Sequence, residues 1–296
     1  MRLIYSILIT TGLAFNTMAL TTSVCYTRCA DNPSQTQPCS WNKTIFSEKS
    51  LISPEGIPSK PVKEWISALS NEGDNSIETK TKGYPVTAPG LVMQFPGPDN
   101  WKLVWSDEFN YSGLPDSTKW NYDVGGSGFG NNELQYYTLK DTLNALVKNG
   151  VLAITARKQS KEGKAYTSAR LLTKDKSEFT YGKFEIRARL PRGIGTWPAI
   201  WMLGKNIDEA GWPACGEIDI MEYLGSNPTS IFGTVHGPGY SAGDAITKNY
   251  ALQNNRFDND FHVFGIEWDE NQINYYVDDV LYNQITPKNV PGEWVF

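Results

Sequence analysis

The stretch Trp212-Pro-Ala-Cys-Gly-Glu-Ile-Asp-Ile-Met-Glu-Tyr-Leu-Gly225 constrains this chain more than any other. Three carboxylates, Glu217, Asp219 and Glu222, fall within six residues, separated by Ile218, Ile220 and Met221. Apolar and β-branched residues between acids predict a strand, whose side chains alternate faces. Glu217 and Asp219 then share one face. Glu222 has the opposite parity unless the strand takes in one extra residue, and a β-bulge at Ile220–Met221 supplies it. All three acids then lie on one side, with the hydrophobic residues on the other.

Like charges this close oppose ionisation, so one pKa rises and that group keeps its proton at neutral pH. A protonated acid beside an ionised one is the pair that glycoside hydrolysis requires. A solvated strand face or a calcium cluster would use the same residues. The flanking Trp212, Cys215 and Tyr223 favour a cleft.

Gly216-Glu-Ile-Asp-Ile-Met-Glu222 resembles the active-site signature of glycoside hydrolase family 16, in the bulged form of laminarinase-type endo-β-1,3-glucanases. The resemblance runs from about Trp101 to Phe296. It implies Glu217 as nucleophile, Asp219 as its partner and Glu222 as acid/base. It implies retention of anomeric configuration, and the Met221 insertion points to the β-1,3 side of the family. It also implies an all-β, concanavalin-like jelly-roll sandwich with the substrate across a concave face.

The texture of the chain after Trp101 agrees with that architecture. Short apolar runs predict strands at Lys102–Phe109, Val151–Arg157, Tyr166–Leu172, Lys183–Leu190, Phe261–Trp268 and Ile273–Val277. Many short strands between glycine turns mean a sandwich or jelly roll. The Trp 10, Tyr 15 and Phe 12 content suffices for a large core and for sugar-stacking surfaces. A net charge of −5 offers no electrostatic support for nucleic acid or an anionic membrane as partner. A β-glucan is the expected partner, and a monomer is expected.

Sugar contacts are expected from Trp197 and Trp201, which share a face in Gly195–Met202 and serve as stacking surfaces or as core. Gly130–Tyr136 and Ser168–Arg170 match family segments that line the donor subsites, which makes Asn132 and Arg170 hydroxyl-binding candidates. By the same resemblance His236 falls beside the acid/base, in the leaving-group half, in a supporting role. Gly125–Gly130 lacks both nucleotide-cradle and nucleophile-elbow spacing, so it reads as a plain loop.

Three domains are expected. Met1–Ala19 reads as a signal peptide: Arg2 at the start, an apolar run from Leu3 to Phe15, and Thr17-Met-Ala19 suited to cleavage. A secreted, extracellular or periplasmic protein follows, with no membrane span after cleavage. Residues 20–98, rich in proline, form an extension or linker with one short helix at Lys63–Leu69. Cys25, Cys29 and Cys39 are free to pair within it, in a connectivity that spacing does not fix. Cys215 reads as a small buried residue. Residues 99–296 are the catalytic domain. The family pattern continues with further strands beyond Phe296, so open edges and an incomplete core are expected. No cofactor is required. The calcium site often found in the family takes a ligand from that later part, so Glu108 alone does not establish it.

Overall fold

A computed structural model describes residues 1–9, 16–28 and 101–296. In chain order the strands are β1 (Arg2–Ile9), β2 (Asn16–Arg28), β3 (Trp101–Asp107), β4 (Asn121–Asp123), β5 (Gln135–Tyr137) and β6 (Ala145–Lys148). Next come β7 (Val151–Lys161), β8 (Lys164–Ser168), β9 (Arg170–Leu172), β10 (Gly182–Arg189) and β11 (Thr196–Leu203). Then follow β12 (Glu217–Tyr223), β13 (Ser230–His236), β14 (Ile246–Ala251), β15 (His262–Asp269), β16 (Gln272–Val277) and β17 (Val280–Ile285). Among the described residues an α-helical turn, α1, spans Ile207–Ala210.

Two sheets carry these strands. One runs β14-β13-β12-β11-β1-β9-β4, and the other β17-β16-β15-β10-β2-β7-β8-β5 with β3 on β2 and β6 on β7. Alternation explains how they stack. On β10, Phe184, Ile186 and Ala188 are buried while Lys183, Glu185 and Arg187 are not. On β12, Ile218, Ile220 and Met221 enter the same core cluster as Phe264 and Ile266 of β15. The seven-stranded sheet therefore keeps one face for the core and turns the other outward. The expected strand at Tyr166–Leu172 is two strands, β8 and β9, that lie in different sheets.

The N-terminal residues enter both sheets. β1 pairs antiparallel with β11 along its length and with β9 on its other side. β2 pairs with β10, β7 and β3. Leu3, Ile4, Met18, Ala19 and Leu20 are buried. Met1–Ala19, expected as a detached leader, is thus built into both sheets where it is described, and β2 crosses the expected boundary at residue 20. The physical reason is that an apolar, β-branched run suits a leader core and a buried strand equally. The same strands occupy interior places in both sheets. Residues 29–100, with the Lys63–Leu69 helix and Cys29 and Cys39, lie outside the described residues, as does the Cys25 side chain. Cys215 is buried and unpaired, and burial pushes its thiol pKa up. Among the described residues no helix is long and apolar enough to cross a membrane.

Candidate active site

The acids sit on β12, and its register shows how they share a face. Against β13, Asp219 pairs with Thr234 and Glu222 with Phe232, so Ile220 and Met221 together oppose the single residue Gly233. Against β11, Met221 pairs with Ile200 and Asp219 with Trp201, which leaves Ile220 unmatched. One extra residue resets the parity. Ile220 and Met221 both point into the core, and Glu222 returns to the outer face beside Asp219 and Glu217.

Each glutamate is held by an indole. Trp212 Nε1 donates to Glu217 Oε2 at 2.6 Å. Trp197 Nε1 donates to Glu222 Oε1 at 3.0 Å, and Thr234 Oγ1 lies 3.3 Å from Glu222 Oε2. Asp219, between them, is buried, and its Oδ2 lies 3.3 Å from His236 Nε2. Ala242 N–H donates to His236 Nδ1, so the proton of the neutral ring sits on Nε2, facing Asp219.

Burial dominates the protonation of the trio. It raises the Glu217 pKa to about 8, helped by the charge of Asp219 and opposed by His236 and the Trp212 N–H. Burial raises Asp219 well above the carboxylate range, with Glu222 adding to it. Glu222 is raised by burial too, against the donated bond from Trp197. Burial therefore favours the protonated form of each, and their titrations are coupled.

The other expected residues are placed as follows. Trp197 lies on the outer face, with its N–H on Glu222 rather than free for a sugar. Trp201, two residues past Ala199 on the same face, stacks under the Arg170 guanidinium at 4.7 Å. Phe129 covers the same guanidinium at 4.9 Å, and Asp123 pairs with it at 2.9 Å. Arg170 is thus buried, with its Nε on Asp123 and its guanidinium against both rings. Asn132 is exposed at a left-handed turn in the loop that carries Phe129. His236 stands against Asp219 and, by register, opposite Glu217, with its charge also reaching Glu222. The reason is antiparallel pairing: β13 brings Phe232, not His236, opposite Glu222.

Trp212, Thr234, Asp123 and Phe129 were not singled out as site residues from sequence. Trp212 had a signal, being five residues before Glu217 beside the acids. Phe129 and Asp123 had none, because they reach Arg170 only through the pairing of β4 with β9 and the fold of the loop. Among the described residues, the one Asp/Glu/His/Cys group with metal-ligand spacing is Glu217, Asp219 and His236, whose donor atoms lie within 4.8 Å of one another. Glu108 belongs to no such group.

A two-sheet β-sandwich with paired glutamates on one outer face is the architecture of a carboxylate glycosidase. The profile of "Glycosyl hydrolases family 16" matches residues 132–294, more than half the chain, and the chain belongs to that family. A β-glucanase of Rhodothermus marinus is 55% identical over 62% of this chain and 65% of its own length. A glucan endo-1,3-beta-glucosidase of Cryptopygus antarcticus is 41% identical, over 62% of this chain and 68% of its own. Among solved structures, the laminarinase catalytic domain of Thermotoga maritima is 50% identical with a TM-score of 0.62, covering 66% of this chain and 82% of that one. This chain therefore spans about two thirds of the length of these two curated relatives.

Proposed function

We propose that the protein is a retaining endo-glycosidase that cleaves internal β-1,3 bonds of laminarin-like or mixed-linkage glucans. The observation that carries this reading is the bulge at Ile220–Met221, which puts Glu217 and Glu222 on one face with an indole N–H on each. Glu222 gives its proton to the glycosidic oxygen while Glu217 Oε attacks the anomeric carbon. The C–O bond to the leaving sugar breaks and a glycosyl ester forms on Glu217. Asp219, which burial keeps in its neutral form, donates a hydrogen bond to Glu217 when that carboxylate is anionic. Glu222, now a carboxylate, takes a proton from water as the oxygen attacks the ester, and both acids return to their starting states. A sugar hydroxyl in place of water gives transglycosylation.

A non-catalytic glucan-binding protein of the same fold is the rival reading, and action on agar or carrageenan a second. Binding alone gives no reason to bury three acids and hold two of them with donors, since that arrangement costs stability. Reducing-sugar release from laminarin, lichenan and agarose by the purified chain separates the three. Release from laminarin supports the proposal; binding without release, or release from agarose alone, contradicts it.

Export is proposed as well, on the basic, apolar and small-residue pattern of Met1–Ala19 and on the size of a glucan polymer, which is met outside the cell.

A further inference from the structure

The hydrogen bonds behind Glu222 continue into a short chain of hydroxyls that the reaction scheme leaves unused. Thr234 Oγ1 lies 3.3 Å from Glu222 Oε2, and Thr247 Oγ1 lies 2.8 Å from Thr234 Oγ1. Pairing of β12 with β13 sets Thr234 opposite Asp219, and pairing of β13 with β14 sets Thr247 opposite Thr234. Tyr275, fully buried in the other sheet, donates to the Thr234 carbonyl at 2.8 Å and fixes the backbone that carries the chain. Thr234 is buried and Thr247 exposed, so the chain leads from the acids to the surface.

Counting hydrogens shows what this chain can do. A threonine hydroxyl carries a single hydrogen and also accepts. With Glu222 ionised, Thr234 gives its hydrogen to Oε2 and takes one from Thr247. With Glu222 protonated, that direction must reverse. Oε1 faces the Trp197 N–H, which only donates, so Oε2 is the oxygen whose partner can accept. The carboxyl then donates to Thr234, Thr234 turns its hydrogen to Thr247, and Thr247 turns its own to solvent. Both protonation states of Glu222 are satisfied without any heavy atom moving.

We propose that Thr247 is a positioning residue that acts through Thr234, the two hydroxyls reversing together as Glu222 gains and loses its proton. The inference rests on the reading of Glu222 as acid/base, and adds the residue that lets one carboxyl serve in both states. Without the Thr247 hydroxyl, ionised Glu222 still receives the Thr234 hydrogen, and only an accepted bond at Thr234 is lost. Protonated Glu222 leaves the buried Thr234 O–H without an acceptor, which is the larger cost. Removing the Thr247 hydroxyl therefore favours ionised Glu222. The titratable groups around Glu222 are Glu217 and Asp219 on β12, His236 on β13 and Tyr275 from the other sheet. On β14, Lys248 pairs with Gly233 and has the opposite parity to Thr247. Thr247→Val alters none of these charges.

The test is an NMR titration of the full chain with isotope-labelled glutamate carboxyls, the Glu222 signal being assigned by its loss in Glu222→Gln. Thr247→Val, which keeps the shape, is expected to move the Glu222 midpoint to lower pH. Thr247→Ser, which keeps the hydroxyl, is expected to leave it in place. On a β-1,3-glucan, Thr247→Val is expected to lower kcat/KM about tenfold above the pH optimum, with the alkaline limb displaced to lower pH, and Thr247→Ser to keep both. A midpoint that stays in Thr247→Val, rises, or moves equally in Thr247→Ser would overturn the proposal. A rate loss that is uniform in pH, with the midpoint unmoved, would mean packing or sugar contact and would overturn it too. If the unaltered chain hydrolyses nothing, the displaced midpoint still supports the hydroxyl pair, and only the enzymatic reading falls.

Discussion

The Trp212 indole N–H donates to Glu217 Oε2 across 2.6 Å, from a ring that is itself 46% exposed. The bond opposes the burial that pushes Glu217 towards its neutral form. An attacking carboxylate must be ionised, so this donor favours the reactive state. Trp212→Phe keeps the ring and removes the N–H. A hydrogen bond to a charged group contributes about 1.5–3 kcal/mol, so kcat is expected to fall roughly 10- to 100-fold. Losing the donor raises the Glu217 pKa, and the acid limb of the kcat/KM profile moves to higher pH. A kcat loss without that movement would assign Trp212 to substrate contact instead.

Burying Glu217 also sets a pH dependence of stability. Its folded pKa of about 8 lies above the usual carboxylate value. The folded state therefore holds a proton that the unfolded chain has released between those two values, and stability falls as pH rises through that window. Glu217→Gln cannot ionise. Its melting temperature is expected to exceed that of the unaltered chain by several degrees at pH 8, and by much less at pH 5, at about 2–4 °C per kcal/mol. A gain that is equal at both pH values would contradict the raised pKa. A separate assay of the same variant is expected to show glucan binding without turnover.

Arg170 is held by Asp123, Phe129 and Trp201. Asp123→Asn removes the charge partner of a buried guanidinium. KM for a β-1,3-glucan is expected to rise about three- to tenfold, the worth of roughly 0.7–1.4 kcal/mol, while kcat falls far less. A kcat loss larger than the KM rise would place this cluster nearer the reacting bond.

The chain start has two incompatible uses. As β1 it fills the space between β11 and β9; as a cleaved leader it leaves that space. Export predicts that protein recovered from the culture medium begins near Leu20, and a start at Met1 would contradict it. The pairing in the structure predicts that a chain beginning at Leu20 melts well below the 1–296 chain, because β11 and β9 lose their shared partner. Equal melting temperatures would show that β1 contributes nothing to the sandwich.

The acids and most strands were legible because their signals are local. Short apolar runs marked β10 and β16, and the parity of Glu222 demanded the bulge. Cys215 is buried, as a small apolar residue beside the acid strand is expected to be. Contacts made between distant strands were not. Asp123 and Arg170 are 47 residues apart in sequence and meet only through β4 and β9. His236 was placed correctly on the next strand, but its register opposite Glu217 rather than Glu222 depends on the turn that joins β12 to β13. Leu3–Ile9 was ambiguous in principle, since apolar β-branched residues report burial and not the partner that buries them.

The stereochemistry of the first product tests the central claim most directly. If Glu217 attacks the anomeric carbon and Glu222 alternates as acid and base, two inversions restore the starting configuration. NMR of the early phase of β-1,3-glucan hydrolysis is expected to show the β-anomer of the new reducing end first, with the α-anomer growing in later by mutarotation. The α-anomer appearing first would mean that water attacks directly, and would contradict Glu217 as nucleophile.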